Sequence, residues 1–201
     1  MLEFTLSKIN LLILVVALFS IISFFSINVG KIFLVGEVKQ ELDKYSITLN
    51  GMIVAPTTCD SKPFAIPSKF TSFGNNVYYV LHVSTLSSSE GNRLIFSASD
   101  VKQPNTVLAA SSLSTRARIL ILDTLSGSVV PLDAGEELTL DPQAVPPTNA
   151  FYAVKSVKQG ATTLYVFPCA ITSTGDTCAG GGGAKERVNH YLSTLGESFV
   201  C

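Results

Sequence analysis

Four cysteines and two histidines are the side chains of this 201-residue chain best suited to chemistry. The cysteines are Cys59, Cys169, Cys178 and Cys201, an even number with no Cys-x-x-Cys spacing. That is the pattern of structural disulfides in an oxidising compartment. Three pairings are open to them. The favoured one joins Cys169 to Cys178 across a short polar loop and Cys59 to Cys201, which ties the C-terminus to the start of the domain. In the chain-entropy description, closing the longer loop contributes about 4–5 kcal/mol. The alternative is four buried thiols that behave as small hydrophobes. Cys-x8-Cys is too loose for a structural zinc site, and neither His82 nor His190 has a partner at ligand spacing, so no metal is expected.

No other motif points to a cofactor or a catalytic site. Gly180–Gly183 precede Lys185, but the residue after that lysine is Glu186, where a phosphate loop needs Ser or Thr. The run reads as a flexible linker. Serine and aspartate are plentiful, yet there is no Gly-x-Ser-x-Gly elbow for a nucleophile. Asp60, Asp100, Asp123 and Asp141 read as turn and loop-end residues. His82 alternates with apolar neighbours in a strand pattern, and of Tyr78 and Tyr79 one must face the core, because adjacent strand residues point to opposite sides.

Composition narrows the partners. Apolar residues make up 47% of the chain and charged residues 14%, against roughly 25% charged in an average soluble domain. From Ser46 onward there are ten Lys/Arg and eleven Asp/Glu. Such a balance offers no basic patch for nucleic acid and no strong field for steering.

The elements that position these residues begin with an uncharged run, Ile9 to Ile27. Its nineteen residues rise roughly 28 Å as a helix, close to the hydrocarbon thickness of a bilayer. Asn28, Gly30 and Lys31 mark the far boundary, with Phe24 and Phe25 near it. Residues 1–30 are thus expected to be a transmembrane anchor that contacts lipid through Ile9–Ile27. The competing readings are a cleaved signal peptide with Leu11–Phe25 as its apolar core and a buried core helix. Residues 31–45 are expected to continue as an amphipathic helical stalk, with Ile32, Val35, Val38 and Leu42 on one stripe and Glu37, Glu41 and Lys44 on another. Gly36 is a point where this rod of about 40 residues could bend. Lysine counts alone, Lys8 before the span and Lys31, Lys39 and Lys44 after it, lean toward a cytoplasmic domain. The cysteines outweigh them and place the domain outside the cytoplasm, on a single-pass protein of the cell membrane.

Residues 46–201 read as one β-rich domain. Expected strands are Ser46–Val54 with an Asn50-Gly51 turn, Val77–Leu86, Arg93–Ser97, Val107–Ser112, Arg118–Leu122, Glu137–Leu140, Phe151–Val157 and Thr162–Phe167. Hairpins are expected at Ser87–Asn92 and at Lys158–Gly160. Arg118–Leu122 is apolar on both faces and reads as a central strand. The three prolines of the 141–149 segment fix an extended loop. Helical crossovers are missing, so the fold class is mainly β: an antiparallel sandwich or small barrel. One helix closes the chain, Ala184–Leu195, with Val188, Tyr191, Leu192 and Leu195 on a stripe and Gly196 as its stop.

A lipid-facing helix, amphipathic further on, that carries a disulfide-bearing β head resembles the layout of type IV pilin-like subunits. The resemblance implies assembly into filaments and transfers no site residues. The chain is also similar to small single-pass surface proteins of archaea. The expected function is a non-catalytic protein-interaction or surface-assembly module, with a protein partner or self-association. A pilin-like filament subunit is one alternative and an anchored extracytoplasmic hydrolase is another.

Overall fold

The computed structural model describes residues 2–72, 75–125, 127–172, 175–178, 182–197 and 199. It opens with α1, Leu2–Val54, an unbroken helix of 53 residues, roughly 80 Å long. The segment has no proline until Pro56, which disfavours helix in the residue before it and so fixes the end near Ala55. Gly36 does not interrupt the helix.

Two expectations about this helix are corrected. Ser46–Val54 is helical rather than a strand, and Asn50-Gly51 lies within the last turns rather than in a hairpin. The reason is tertiary. Leu34, Val38, Leu42, Tyr45, Leu49 and Met52 recur at steps of three and four and are all buried in the main core, so the packed stripe overrides local alternation. The stripe also differs in phase from the expected one. Val38 and Leu42 are buried as expected, whereas Ile32 is 71% and Val35 40% exposed.

Among the described residues thirteen strands follow: β1 Cys59–Ala65, β2 Phe70–Ser72, β3 Asn75–Val77, β4 Tyr79–Ser88, β5 Gly91–Asp100, β6 Gln103–Thr115, β7 Arg118–Asp123, β8 Val130–Pro131, β9 Glu137–Leu140, β10 Ala150–Lys158, β11 Ala161–Cys169, β12 Ile171–Thr172 and β13 Gly175–Asp176. Helix α2, Ala184–Thr194, comes last. A five-stranded sheet runs β1-β10-β11-β7-β8, and a four-stranded sheet runs β6-β5-β4-β9. Their inner faces share one core with α1, so the head is an open sandwich and no barrel closes. β7 pairs with β11 in parallel, an exception in an otherwise antiparallel architecture.

Local chemistry explains the hairpins. β10 and β11 turn through Gln159-Gly160, whose φ values of 52° and 79° are both positive, as a primed two-residue turn requires. β4 and β5 turn just before Gly91, where a Cβ would meet the Thr115 carbonyl oxygen at 2.9 Å. Three expected turn aspartates behave as such: Asp100, Asp123 and Asp141 accept the backbone N–H two residues on at 2.8 Å each. Asp60 differs and lies inside β1, beside Lys155 of β10.

The second face of the five-stranded sheet is covered as well. Val188 and Leu192 of α2 share a core with Tyr152, Val154, Tyr165 and Phe167. β10 is therefore buried along nearly its whole length. Gly196, at φ 72°, ends the helix region as expected, while Leu195 is exposed rather than part of the buried stripe.

Candidate functional site

Helix α1 divides into two parts with opposite surroundings. Its apolar stretch has a mean hydropathy of 2.6 and none of it is buried. Leu11, Phe19, Ile22 and Phe24 each expose more than half of their surface. This is a helix long and apolar enough to cross a membrane, and the reading of it as a buried core helix is ruled out. The C-terminal part packs one stripe, Leu34 to Met52, into the core of the head.

That packing centres on Tyr45. Its ring meets Phe64 of β1 and Phe151 of β10 edge-on at centroid distances of 6.0 and 5.4 Å, and Phe96 of β5 at 6.0 Å. One helical side chain thus bridges both sheets. Phe64 and Phe151 stack at 4.7 Å beneath it. The Tyr45 hydroxyl donates to the Ala65 carbonyl at 2.9 Å, which satisfies the one polar atom of the ring. Burial holds the Tyr45 phenol far above its ordinary pKa, and burial does the same to Tyr79.

Polar contacts fix the helix in register. Ser111 of β6 donates to Asp43 Oδ1 at 2.7 Å, and Ser46 Oγ lies 3.0 Å from the same hydroxyl. The Ser111 bond lowers the Asp43 pKa, burial opposes it, and Lys39, at 3.2 Å, adds to the lowering. At the helix end Lys155 of β10, 1% exposed, donates its ammonium to the Ala55 carbonyl. The last turn of α1 carries no basic residue of its own, so the sheet supplies the cation that the helix C-terminus favours.

Cys169 and Cys178 are bonded, as expected, with Cα atoms 5.0 Å apart, and lie in the core beneath α2. Cys59 is disulfide-bonded too. Cys201, its expected partner, falls outside the described residues, as do Gly180 and Gly181 of the glycine run.

His82 meets groups that no spacing along the chain joins to it. Its Nε2 lies 2.9 Å from Ser99 Oγ, and its Nδ1 lies 3.5 Å from Glu137 Oε2 and from Thr139 Oγ1. A serine, a histidine and a carboxylate in that order are the parts of an activated nucleophile. Here Ser99 is 3% exposed, so a substrate has no approach to its hydroxyl. The arrangement satisfies polar groups on the sheet. His190 is exposed on α2 and lines a recess of about 480 Å3 with Arg187 and Tyr191. Among the described residues no three His, Cys, Asp or Glu side chains converge as a metal would require.

The expected layout, a long apolar N-terminal helix followed by a β-rich region, is present. Comparison with protein-family models, with curated proteins and with solved structures gives no match.

Proposed function

We propose that this chain is a single-pass membrane protein whose β head stands outside the cytoplasm as a non-catalytic module for surface assembly or protein interaction. One observation carries the reading. A single unbroken helix leaves its apolar half entirely uncovered and locks its other half into the core of the head. Uncovered apolar surface on this scale requires lipid or protein against it. The rigid junction at Tyr45 and Lys155 then holds the head at a fixed height and angle to whatever receives the helix. The Cys169–Cys178 bond supports an oxidising location.

A pilin-like filament subunit is the second reading. The same layout favours it, with the helices of neighbouring copies in place of lipid. Filaments in a fraction sheared from cells that express the full chain support it.

The test of the main reading is extraction of membranes with alkaline carbonate, followed by protease added from outside. The chain is expected in the pellet, with the head degraded or trimmed while the apolar helix is protected. A chain released into the supernatant, or a head protected until the membrane is opened, contradicts it.

A further inference from the structure

The head begins close to where the bare part of α1 ends. Phe33 is 60% exposed, and Leu34, the next residue, is 9% exposed and belongs to the main core. Counted from Ile27, where the uncharged run stops, Leu34 stands roughly 10 Å further along the helix axis. The polar layer of a bilayer is about 5–8 Å thick on each side. The lower end of the head is therefore within a side chain's length of that layer. A tilt of about 20°, ordinary for a membrane helix, brings one side of the head lower still.

Strand register identifies that end. Helix α1 lies along β6, where Ser111 bonds Asp43 and pairs with Phe96 of β5. From Phe96, β5 runs down to Asp100, which pairs with Tyr79; the Tyr79 ring lies 4.8 Å from Phe70, and Phe70 lines a recess that reaches Gly36. The chain from Phe96 to Val101 spans roughly 16 Å, the rise of about eleven helical residues. Val101 thus stands level with the helix near Leu34. The other end of β5 lies by the joint of rod and head. There Asn92 Nδ2 donates to the Ala117 carbonyl at 2.9 Å, and Arg118 shares a register row with Thr163 and Ser156, next to Lys155.

We infer that this lower end of the head is seated on the phospholipid surface of the membrane that holds α1, through the β5–β6 turn and the proline loop beside it. The turn reads Val101-Lys102-Gln103-Pro104-Asn105-Thr106-Val107 and every residue in it is exposed, Val107 by 61%. The proline loop is tied to this end by Gln143, which donates to the Ser68 carbonyl just before β2, and it presents Val145 at 97% exposure. Tyr78 and Lys69 are exposed nearby. Small apolar side chains that enter the boundary of the acyl chains, with lysine ammonium groups that reach lipid phosphate and a tyrosine at headgroup depth, are the chemistry of an interfacial contact. The β4–β5 turn at the far end, Ser87-Ser88-Ser89-Glu90-Gly91-Asn92, has neither valine nor lysine. The inference rests on the anchored reading above, since the span is what brings the bilayer to this end.

The test uses full chains in phosphatidylcholine vesicles in which some of the lipid carries a nitroxide on its headgroup. A fluorophore is placed at Val101→Cys or, near the far end of the same sheet, at Ser114→Cys; Cys59, Cys169 and Cys178 are already oxidised, and the chain without an added cysteine is the blank. Position 114 pairs with Arg93, roughly 26 Å of strand from position 101, so quenching is expected to be at least about fivefold stronger at 101. Adding Lys102→Glu and Val107→Asp, both on the exposed turn, is expected to cut the quenching at 101 about threefold, because an acidic turn no longer favours the interface. An unchanged thermal midpoint separates that loss from unfolding. Equal quenching at 101 and 114, or quenching at 101 indifferent to the two substitutions, overturns the seat. A label at Leu18→Cys, with the nitroxide moved to the acyl chain, then tells the two readings apart. If it is quenched, the anchor stands without the seat; if it is not, both fall.

Discussion

The buried ammonium of Lys155, in the middle of a central strand, donates to the carbonyl of Ala55, the first residue beyond the 53-residue helix. Two residues 100 positions apart thus seal the joint between rod and head. The contact does what a capping lysine in the last turn would do, but from the sheet, so the cap exists only when the helix is docked. Lys155→Met keeps the stem and removes the charge. It is expected to destabilise the head by about 1.5–3 kcal/mol, the range for a hydrogen bond to a charged group. Faster amide exchange over residues 49–55 than over the β10–β11 hairpin locates the effect, and uniform exchange across both contradicts it.

Tyr45 separates packing from hydrogen bonding. Tyr45→Phe keeps the contacts with Phe64, Phe96 and Phe151 and deletes only the bond to Ala65. Its cost is expected to be about 1 kcal/mol. Tyr45→Ala empties the site where both sheets meet the helix, at about 3–5 kcal/mol. Denaturant midpoints of the two variants in detergent measure the difference.

Acid acts through Asp43. Its folded pKa lies below the ordinary carboxylate value of 3.8, chiefly because Ser111 donates to it. The stabilisation is present above that value and is lost as the pH falls through the lower folded pKa. Ser111→Ala is expected to cost stability at neutral pH and to flatten this acid limb, so that the two proteins converge as the pH approaches 2. Melting curves from pH 6 to pH 2 check it, and an identical limb in both proteins speaks against the clasp.

Alkali acts through Tyr45 and Tyr79, with the opposite sign. Burial raises both phenols, so their contribution is complete below the unfolded value of about 10 and declines as the pH rises beyond it. Tyr45→Phe should blunt the loss of stability above pH 10. Absorbance of ionised tyrosine, followed alongside unfolding, shows whether these two phenols ionise only as the head opens.

Peptide mapping under non-reducing conditions tests the oxidised state. Cys169 and Cys178 are expected in one linked pair, and Cys59 is expected linked to Cys201. Cys178→Ala opens a loop of nine-residue separation and is expected to cost about 2.5 kcal/mol in the chain-entropy description. Alkylation of all four thiols without reductant contradicts the assignment.

Much of the layout was legible in the sequence, for identifiable reasons. The apolar run, both hairpins and the closing helix each carry a strong local signal: uninterrupted hydrophobicity, alternation around a turn, or a stripe ended by glycine. The strand β1 was not legible, since it is polar, contains Pro63 and survives as an edge strand through pairing with β10. Ile32-Phe33-Leu34-Val35 is apolar on every side, so the buried phase was set only by Tyr45, Leu49 and Met52, further along. That continuing period was the available signal that α1 runs through Ser46–Val54. The parallel pairing of β7 with β11 leaves no trace in periodicity. The meeting of His82, Ser99 and Glu137 depends on the mutual register of three strands, β4, β5 and β9, which no spacing along the chain encodes.

The anchor itself is tested most directly by the depth of a spin label. Nitroxides at Leu18→Cys and Ser114→Cys, in full chains reconstituted into vesicles, report collisions with oxygen, which concentrates in lipid, and with a water-soluble nickel chelate. The label at position 18 is expected to favour oxygen and the label at 114 the chelate. A label at 18 as open to the chelate as the label at 114 means that the apolar half of α1 is not in the bilayer.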